Sequence, residues 1–208
     1  MATVFLATMS FKYEFAKYIR DPGSCPGLLF HDDNALIIRD LYPKSLVHFL
    51  VIPTEKTLER PQQAFADDEF RKKMDKYVDK AREMVVSSWP QHYAVPGGQI
   101  ADYIQVCCHS IPSMANLHIH VMTKDLCSER VKNKKHYNSF ATSFAIRWDE
   151  FPLAADDPRW NEAYCKSLLR QDLVHGGINY GSSFKRLREE LDRKRARIVY
   201  GKKRTSSR

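Results

Sequence analysis

Hydrophobic and polar positions change period several times along the chain, and each change marks an element. Phe11, Phe15, Tyr18 and Ile19 recur at helical spacing, so a short amphipathic helix is expected, capped by Ser10 and ended before Pro22. Three runs rich in branched and aromatic residues follow: GLLFHDD (27–33), ALIIRD (35–40) and LVHFLVIP (46–53). Asp32, Asp33 and Asn34, and then YPKS, separate them as turns, which predicts an antiparallel meander. Asp67 or Asp68 opens a longer helix with the stripe Phe70, Met74, Tyr77, Ala81 and Val85, and WPQHYAVPGGQ (89–99) ends it. Two further β-rich runs, ADYIQVCC (101–108) and NLHIHVM (116–122), are joined by a small polar connection that contains Pro112. The pattern predicts an α+β fold, an antiparallel sheet of about five strands with packed helices, plus a small helical appendage at the C-terminus. No internal repeat is visible.

The last of these runs carries the chemistry. In a strand of period two, His118 and His120 fall on one face. His109, at the end of the preceding run, folds back toward them. Burying several titratable rings is costly unless they have a task, so the three histidines are candidate site residues. Taken alone they fit two chemistries: nucleophilic and acid–base work, or a three-histidine zinc site.

Charge adds a second feature. The chain has 208 residues and a net charge of +8, and the segment from Lys185 to Arg208 has eleven Lys and Arg against three acids. That segment alone balances to the whole excess, which suggests an anionic partner such as nucleic acid. The N-terminal stretch MATVFLATMS lacks the pattern of a signal peptide, and no run is long and apolar enough for a membrane helix, so no membrane association is expected. Cys25, Cys107, Cys108, Cys127 and Cys165 form an odd number without a CxxC, which points to reduced thiols inside the cell.

RDLYPKSLVHFLVIP followed by NLHIHVM resembles the histidine-triad superfamily of nucleotide hydrolases and transferases. HSIPSMANLHIHVMTKD and KNKKHYNSF resemble its aprataxin branch, in a fungal-like form, whose members remove AMP from the adenylated 5′ ends that abortive ligation leaves on DNA. The likeness runs from about Ser10 to Phe151. It implies a histidine-triad catalytic domain over 1–151 and a zinc-finger-like region with a basic tail over 152–208.

The resemblance makes His118 the nucleophile that takes AMP, His120 the ligand of the non-bridging phosphate oxygens, and His109 the general acid and base. Asn116 stands where the superfamily's first histidine would be. An amide orients but cannot titrate. Asp40 matches the aspartate that holds the ribose hydroxyls, with Leu41 beside the adenine, and Ser113 and Met114 near the phosphate. His48 matches a superfamily histidine that supports the site from behind. On the DNA side the likeness points to Phe11 as a wedge against the terminal base pair. It also points to Lys44, Lys132, Lys134, Lys135 and His136 as phosphate contacts, with Tyr137 placed among them for stacking.

Aprataxins continue into a Cys2His2 zinc finger. Here the CxxC is absent and Glu190 stands where a zinc-binding histidine would be expected. His175 and distant Cys165 do not replace the missing ligands. The expectation is a finger without metal, an enzyme without cofactor, and a basic C-terminal helix that persists as an arm. The implied partners are 5′-adenylated DNA at nicks and duplex ends, with AMP as product, acted on by a monomer in the nucleus. Competing readings are a general histidine-triad hydrolase of small AMP conjugates, the zinc site above, and a nucleotide-sensing module without catalysis.

Overall fold

The computed structural model describes residues 12–201. Ser10 and Phe11 lie outside them, so the helix cap and the proposed wedge are not seen. The expected first helix spans Glu14–Arg20 (α1) and buries Phe15 and Tyr18. The meander is present as β1 (Leu28–His31), β2 (Ala35–Arg39) and β3 (His48–Pro53). Asp32 builds the first turn: its Oδ1 accepts from the backbone N–H of Asn34 at 2.8 Å and of Ala35 at 3.1 Å.

A short helix, α2 (Pro61–Ala64), precedes the long helix α3 (Asp68–Ser88). Asp67 caps α3 by accepting from Phe70 N at 3.0 Å. The predicted stripe of α3 is buried, from Phe70 to Val85. Strands β4 (Ile104–His109) and β5 (Ile119–Thr123) follow, and then α4 (Lys134–Ala141) and β6 (Ala145–Arg147). The sheet therefore has six strands, one more than the pattern predicted, in the order β1-β2-β3-β5-β4-β6 with every neighbouring pair antiparallel. The three-residue β6 is too short to show a period. It becomes a strand because β4 offers it an edge, with Cys107 opposite Arg147 and His109 opposite Ala145.

The two sheet faces are buried by different partners. Ile37, Phe49, Val51, Ile119 and Val121 share one cluster with the α3 stripe. Leu36, Ile38, Leu50 and Ile52 face the other way and share a second cluster with Phe15 and Tyr18 of α1. Leu50 stands opposite His120 in register, and Phe15 of α1 is 5.3 Å from His118 ring to ring, so these histidines belong to this second face. The site is thus on the side of the sheet away from α3.

The C-terminal region does not stand apart as an arm. After α5 (Glu162–Leu168) the chain forms a hairpin, β7 (Val174–His175) and β8 (Ile178–Asn179), and the helix α6 (Phe184–Tyr200). The hairpin was not predicted, although its Gly176 and Gly177, at φ of 57° and 80°, are what a two-residue turn with two positive φ values needs. Leu187, Leu191 and Ile198 of α6 join the same cluster as the sheet core. Arg188 donates to the carbonyls of Ser128 at 2.9 Å and Cys127 at 3.2 Å, and Tyr137 Oη donates to Val174 O at 2.9 Å. Much of the charge on α6 is also spent within the chain, in the pairs Arg188–Asp192, Arg193–Glu190, Arg197–Glu190 and Arg195–Glu129.

These residues do not fit zinc. Glu190 is held by two arginines, and His175 Nδ1 is 2.9 Å from Tyr137 Oη. Cys165 Sγ donates to Arg159 O at 3.2 Å instead. Among the described residues, no three potential ligand atoms meet in this unit. The five cysteines are all unpaired and buried.

Candidate active site

His118 precedes β5 by one residue and His120 lies within it, while His109 ends β4 and His48 begins β3. Their rings form one cluster: His120 is centred 4.6 Å from His109, 4.9 Å from His118 and 5.1 Å from His48. Phe140 of α4 covers it, 4.5 Å from His109 and 4.9 Å from His120. Asn133 makes that packing possible by capping α4, accepting from His136 N at 2.9 Å.

Hydrogen bonds determine which nitrogen of each ring holds the proton. His118 Nδ1 is 2.8 Å from the carbonyl of Asn116, which can only accept. The proton is therefore on Nδ1, and Nε2 keeps its lone pair. His48 Nδ1 accepts from the backbone N–H of Lys44 at 3.1 Å, so the His48 proton is on Nε2 and is donated across 2.9 Å to His120 Nδ1. That leaves the proton of His120 on Nε2. This Nε2 is buried and has no partner among the described residues, and the same holds for His109 Nε2. Three rings thus bring one lone-pair nitrogen, one N–H and one uncommitted nitrogen to a common space.

Burial keeps the rings neutral. Desolvation lowers His48 from the usual histidine range to about 4 and lowers His118 as well. His109 and His120 are pushed well below it, by desolvation first and by the neighbouring histidines second. A neutral imidazole is the form that attacks phosphorus.

The cluster opens into a cavity of about 590 Å³, lined by His109, His118 and His120. Asp40, Leu41, Lys44, Ser113, Met114, Lys132, Lys135 and His136, all expected from the sequence, line it too. Asp40 is held in place by Tyr42 N, which donates to its Oδ1 at 2.7 Å. Met114 also packs among Phe15, Tyr18 and Leu50, so it serves wall and core together. His48 lies behind the wall, within 3.4 Å of Asp40.

Two expected residues lie off the wall, and one role is corrected. Asn116 is not on the cavity wall; it reaches the site through its backbone carbonyl. Lys134, expected as a DNA contact, is the first residue of α4 and does not line the cavity. Tyr137 is buried, and its hydroxyl ties the hairpin to α4, so it has no face for stacking.

Other lining residues had no signal in the sequence. Arg39, Tyr42, Arg130, Phe140 and Phe144, and Lys166 and Leu169 from the C-terminal region, all reach the cavity. Arg39, Tyr42 and Phe140 lie inside the quoted motifs without standing out in them, whereas Arg130, Phe144, Lys166 and Leu169 stand in none and are brought in by tertiary packing. The three-histidine zinc reading meets a different geometry. Among the described residues, the ligand atoms within 4.8 Å of one another belong to Asp40, His48 and His120. Two of those atoms share the His48–His120 hydrogen bond, which an ion would have to break.

Comparison with known proteins identifies the family. Residues 14–136 match a family model described as scavenger mRNA decapping enzyme C-term binding. The chain is 31% identical to an aprataxin-like protein of Saccharomyces cerevisiae, over 88% of this chain and 95% of that one. It is 29% identical to an aprataxin-like protein of Schizosaccharomyces pombe, over 88% and 80%. Among solved structures, the aprataxin ortholog Hnt3 in complex with DNA superposes with a TM-score of 0.71 at 29% identity, covering 91% of this chain and 99% of that one. Hnt3 in complex with DNA and guanosine gives 0.69 at 27% identity, over 91% and 100%. With a site built from His109, His118 and His120 on this fold, the chain belongs to the aprataxins of the histidine-triad superfamily.

Proposed function

We propose that this DNA-repair hydrolase, which acts on adenylated DNA, removes AMP through a covalent intermediate on His118. The observation that carries the reading is the 2.8 Å bond from His118 Nδ1 to Asn116 O, because it leaves Nε2 as a fixed nucleophile. In the first step a bond forms between Nε2 and the AMP phosphorus. The bond from that phosphorus to the oxygen of the DNA 5′-phosphate breaks, and DNA leaves with its 5′-phosphate restored. In the second step water attacks the same phosphorus, AMP departs, and Nε2 regains its lone pair.

His120 Nε2–H is suited to a non-bridging oxygen, where charge is held throughout the transfer. His109 is suited to give a proton to the leaving phosphate and to take one from water. Its pKa is low in the free protein, and the negative charge of a bound pyrophosphate raises it toward the range an acid needs. Asp40 fits the ribose hydroxyls. Lys44, Lys132, Lys135 and His136 fit the DNA strand. On this reading the reaction uses imidazoles alone, takes no cofactor and is carried out by a monomer. A substrate of 5′-adenylated nicks and duplex ends implies work in the nucleus.

The test is incubation with 5′-adenylated nicked DNA, quenched in denaturant, with a search for AMP on the protein. AMP bound to His118, and its loss along with turnover in His118→Ala that still binds DNA, is the expected result. Near-normal turnover by His118→Ala would overturn the assignment. Faster processing of small AMP conjugates than of adenylated DNA would overturn the substrate.

A further inference from the structure

The mouth of the cavity holds a cation that the mechanism does not use. Arg130 lies on the loop between β5 and α4, with its guanidinium carbon 5.6 Å from the ring centre of Tyr42. Among the described residues no hydrogen bond or ion pair engages that guanidinium. Arg130 is exposed and lines the cavity together with Tyr42, and its guanidinium has five N–H donors to offer. Stacking on an aromatic face holds the plane of an arginine while leaving its N–H edges open.

The support under Arg130 belongs to the site itself. Tyr42 N holds Asp40, Tyr42 O accepts from Lys44 Nζ, and Lys44 N donates to His48. A guanidinium resting on Tyr42 is therefore fixed relative to Asp40, Lys44 and the histidines. Burial disfavours the Lys44 ammonium most, Asp40 favours it, and Arg130 is near enough for its charge to disfavour it further. Two cations side by side at a cavity mouth are relieved when an anion binds between them, and a planar fork matches the paired oxygens of a phosphate.

We propose that Arg130, held on Tyr42, is a specificity-determining residue that grips the DNA 5′-phosphate as it leaves. This rests on the reaction proposed above, in which that phosphate lies on the far side of the reacting phosphorus from His118. The grip is strongest as charge develops on the departing oxygen, so it acts on kcat as well as on KM. A substrate without a second phosphate gains nothing from it.

The experiment compares two substrates, 5′-adenylated nicked DNA and the p-nitrophenyl ester of AMP, which lacks the second phosphate. Arg130→Gln is expected to lower kcat/KM on the DNA by about 10- to 100-fold, the range for a hydrogen-bonded charge, and on the ester by less than about threefold. Arg130→Lys keeps the charge without the fork and should fall between. Tyr42→Leu, which removes the aromatic platform, should move toward Arg130→Gln. Arg82→Gln on α3, behind the sheet, controls for loss of one positive charge. Equal losses on both substrates, or no loss on DNA, overturn the proposal. Formation of AMP–His118 in the unaltered protein is scored separately, so a failure of the nucleophile assignment is distinguishable from a failure at Arg130.

Discussion

His48 Nε2 donates across 2.9 Å to His120 Nδ1, and this one bond decides what His120 presents to the cavity. Because His48 is itself fixed by Lys44 N, the tautomer of His120 is set by a backbone amide two side chains away. His48→Phe removes the donor and keeps a buried ring. Turnover should fall about 10- to 100-fold, as when an orienting partner of a functional histidine is lost. Affinity for adenylated DNA should hold. Nitrogen chemical shifts of His120 should show a changed tautomer, and unchanged shifts with unchanged kcat would refute the relay.

The same histidine makes stability depend on pH. His48 is at about 4 when folded, against an ordinary 6.5. Between those values the unfolded chain binds the extra proton, so stability rises with pH across the window and falls as pH drops from 6.5 toward 4. The depression corresponds to ~3 kcal/mol for this ring alone. His109, His118 and His120 are lowered as well and steepen the loss. Urea denaturation at pH 7 and pH 4.5 measures it, and His48→Phe should lose less between the two. Equal stability at both pH values would contradict neutral burial.

His109→Ala should slow both steps, by about 10²- to 10⁴-fold for lost acid–base help. If activation of water suffers more than departure of DNA, AMP accumulates on His118. Rapid quenching followed by intact-protein mass measurement detects the adduct. Full activity would remove His109 from the mechanism.

The C-terminal helix should prove necessary to the fold. Leu191 is fully buried in the main cluster, so Leu191→Ala should cost about 2 to 5 kcal/mol in urea denaturation. Deleting residues 185–208 removes Leu187, Leu191 and Ile198 together and should unfold the protein. A second truncation removes only 202–208, which include Lys202, Lys203 and Arg204, and keeps the buried residues of α6. For every DNA phosphate that these cations neutralise, their removal lowers the salt slope of binding by about 0.9. An unchanged slope would show that this segment does not touch DNA.

Local patterns were enough for the meander, the α3 stripe, the alternation of His118 with His120, and the motifs that mark the family. Each depends on residues a few positions apart, and a period of two or 3.6 is a local property. The tautomers of the rings were not legible, because they depend on partners such as His48 and His120, 72 residues apart. Asn116 shows the limit in one residue. Its side chain drew attention in the sequence, while its backbone carbonyl, which no sequence pattern distinguishes, orients His118. Arg130, Phe140 and Lys166 came to the cavity only when the loop after β5, α4 and α5 packed beside it. Net charge marked the C-terminal segment as basic, but burial of its leucines and pairing of its arginines depend on the surface it meets. Local pattern was enough to mark the histidines and the strands that hold them; tertiary packing decided which ring nitrogen keeps its lone pair, which cations line the cavity, and that the C-terminal helix belongs to the core, because each of these depends on partners far apart in the chain.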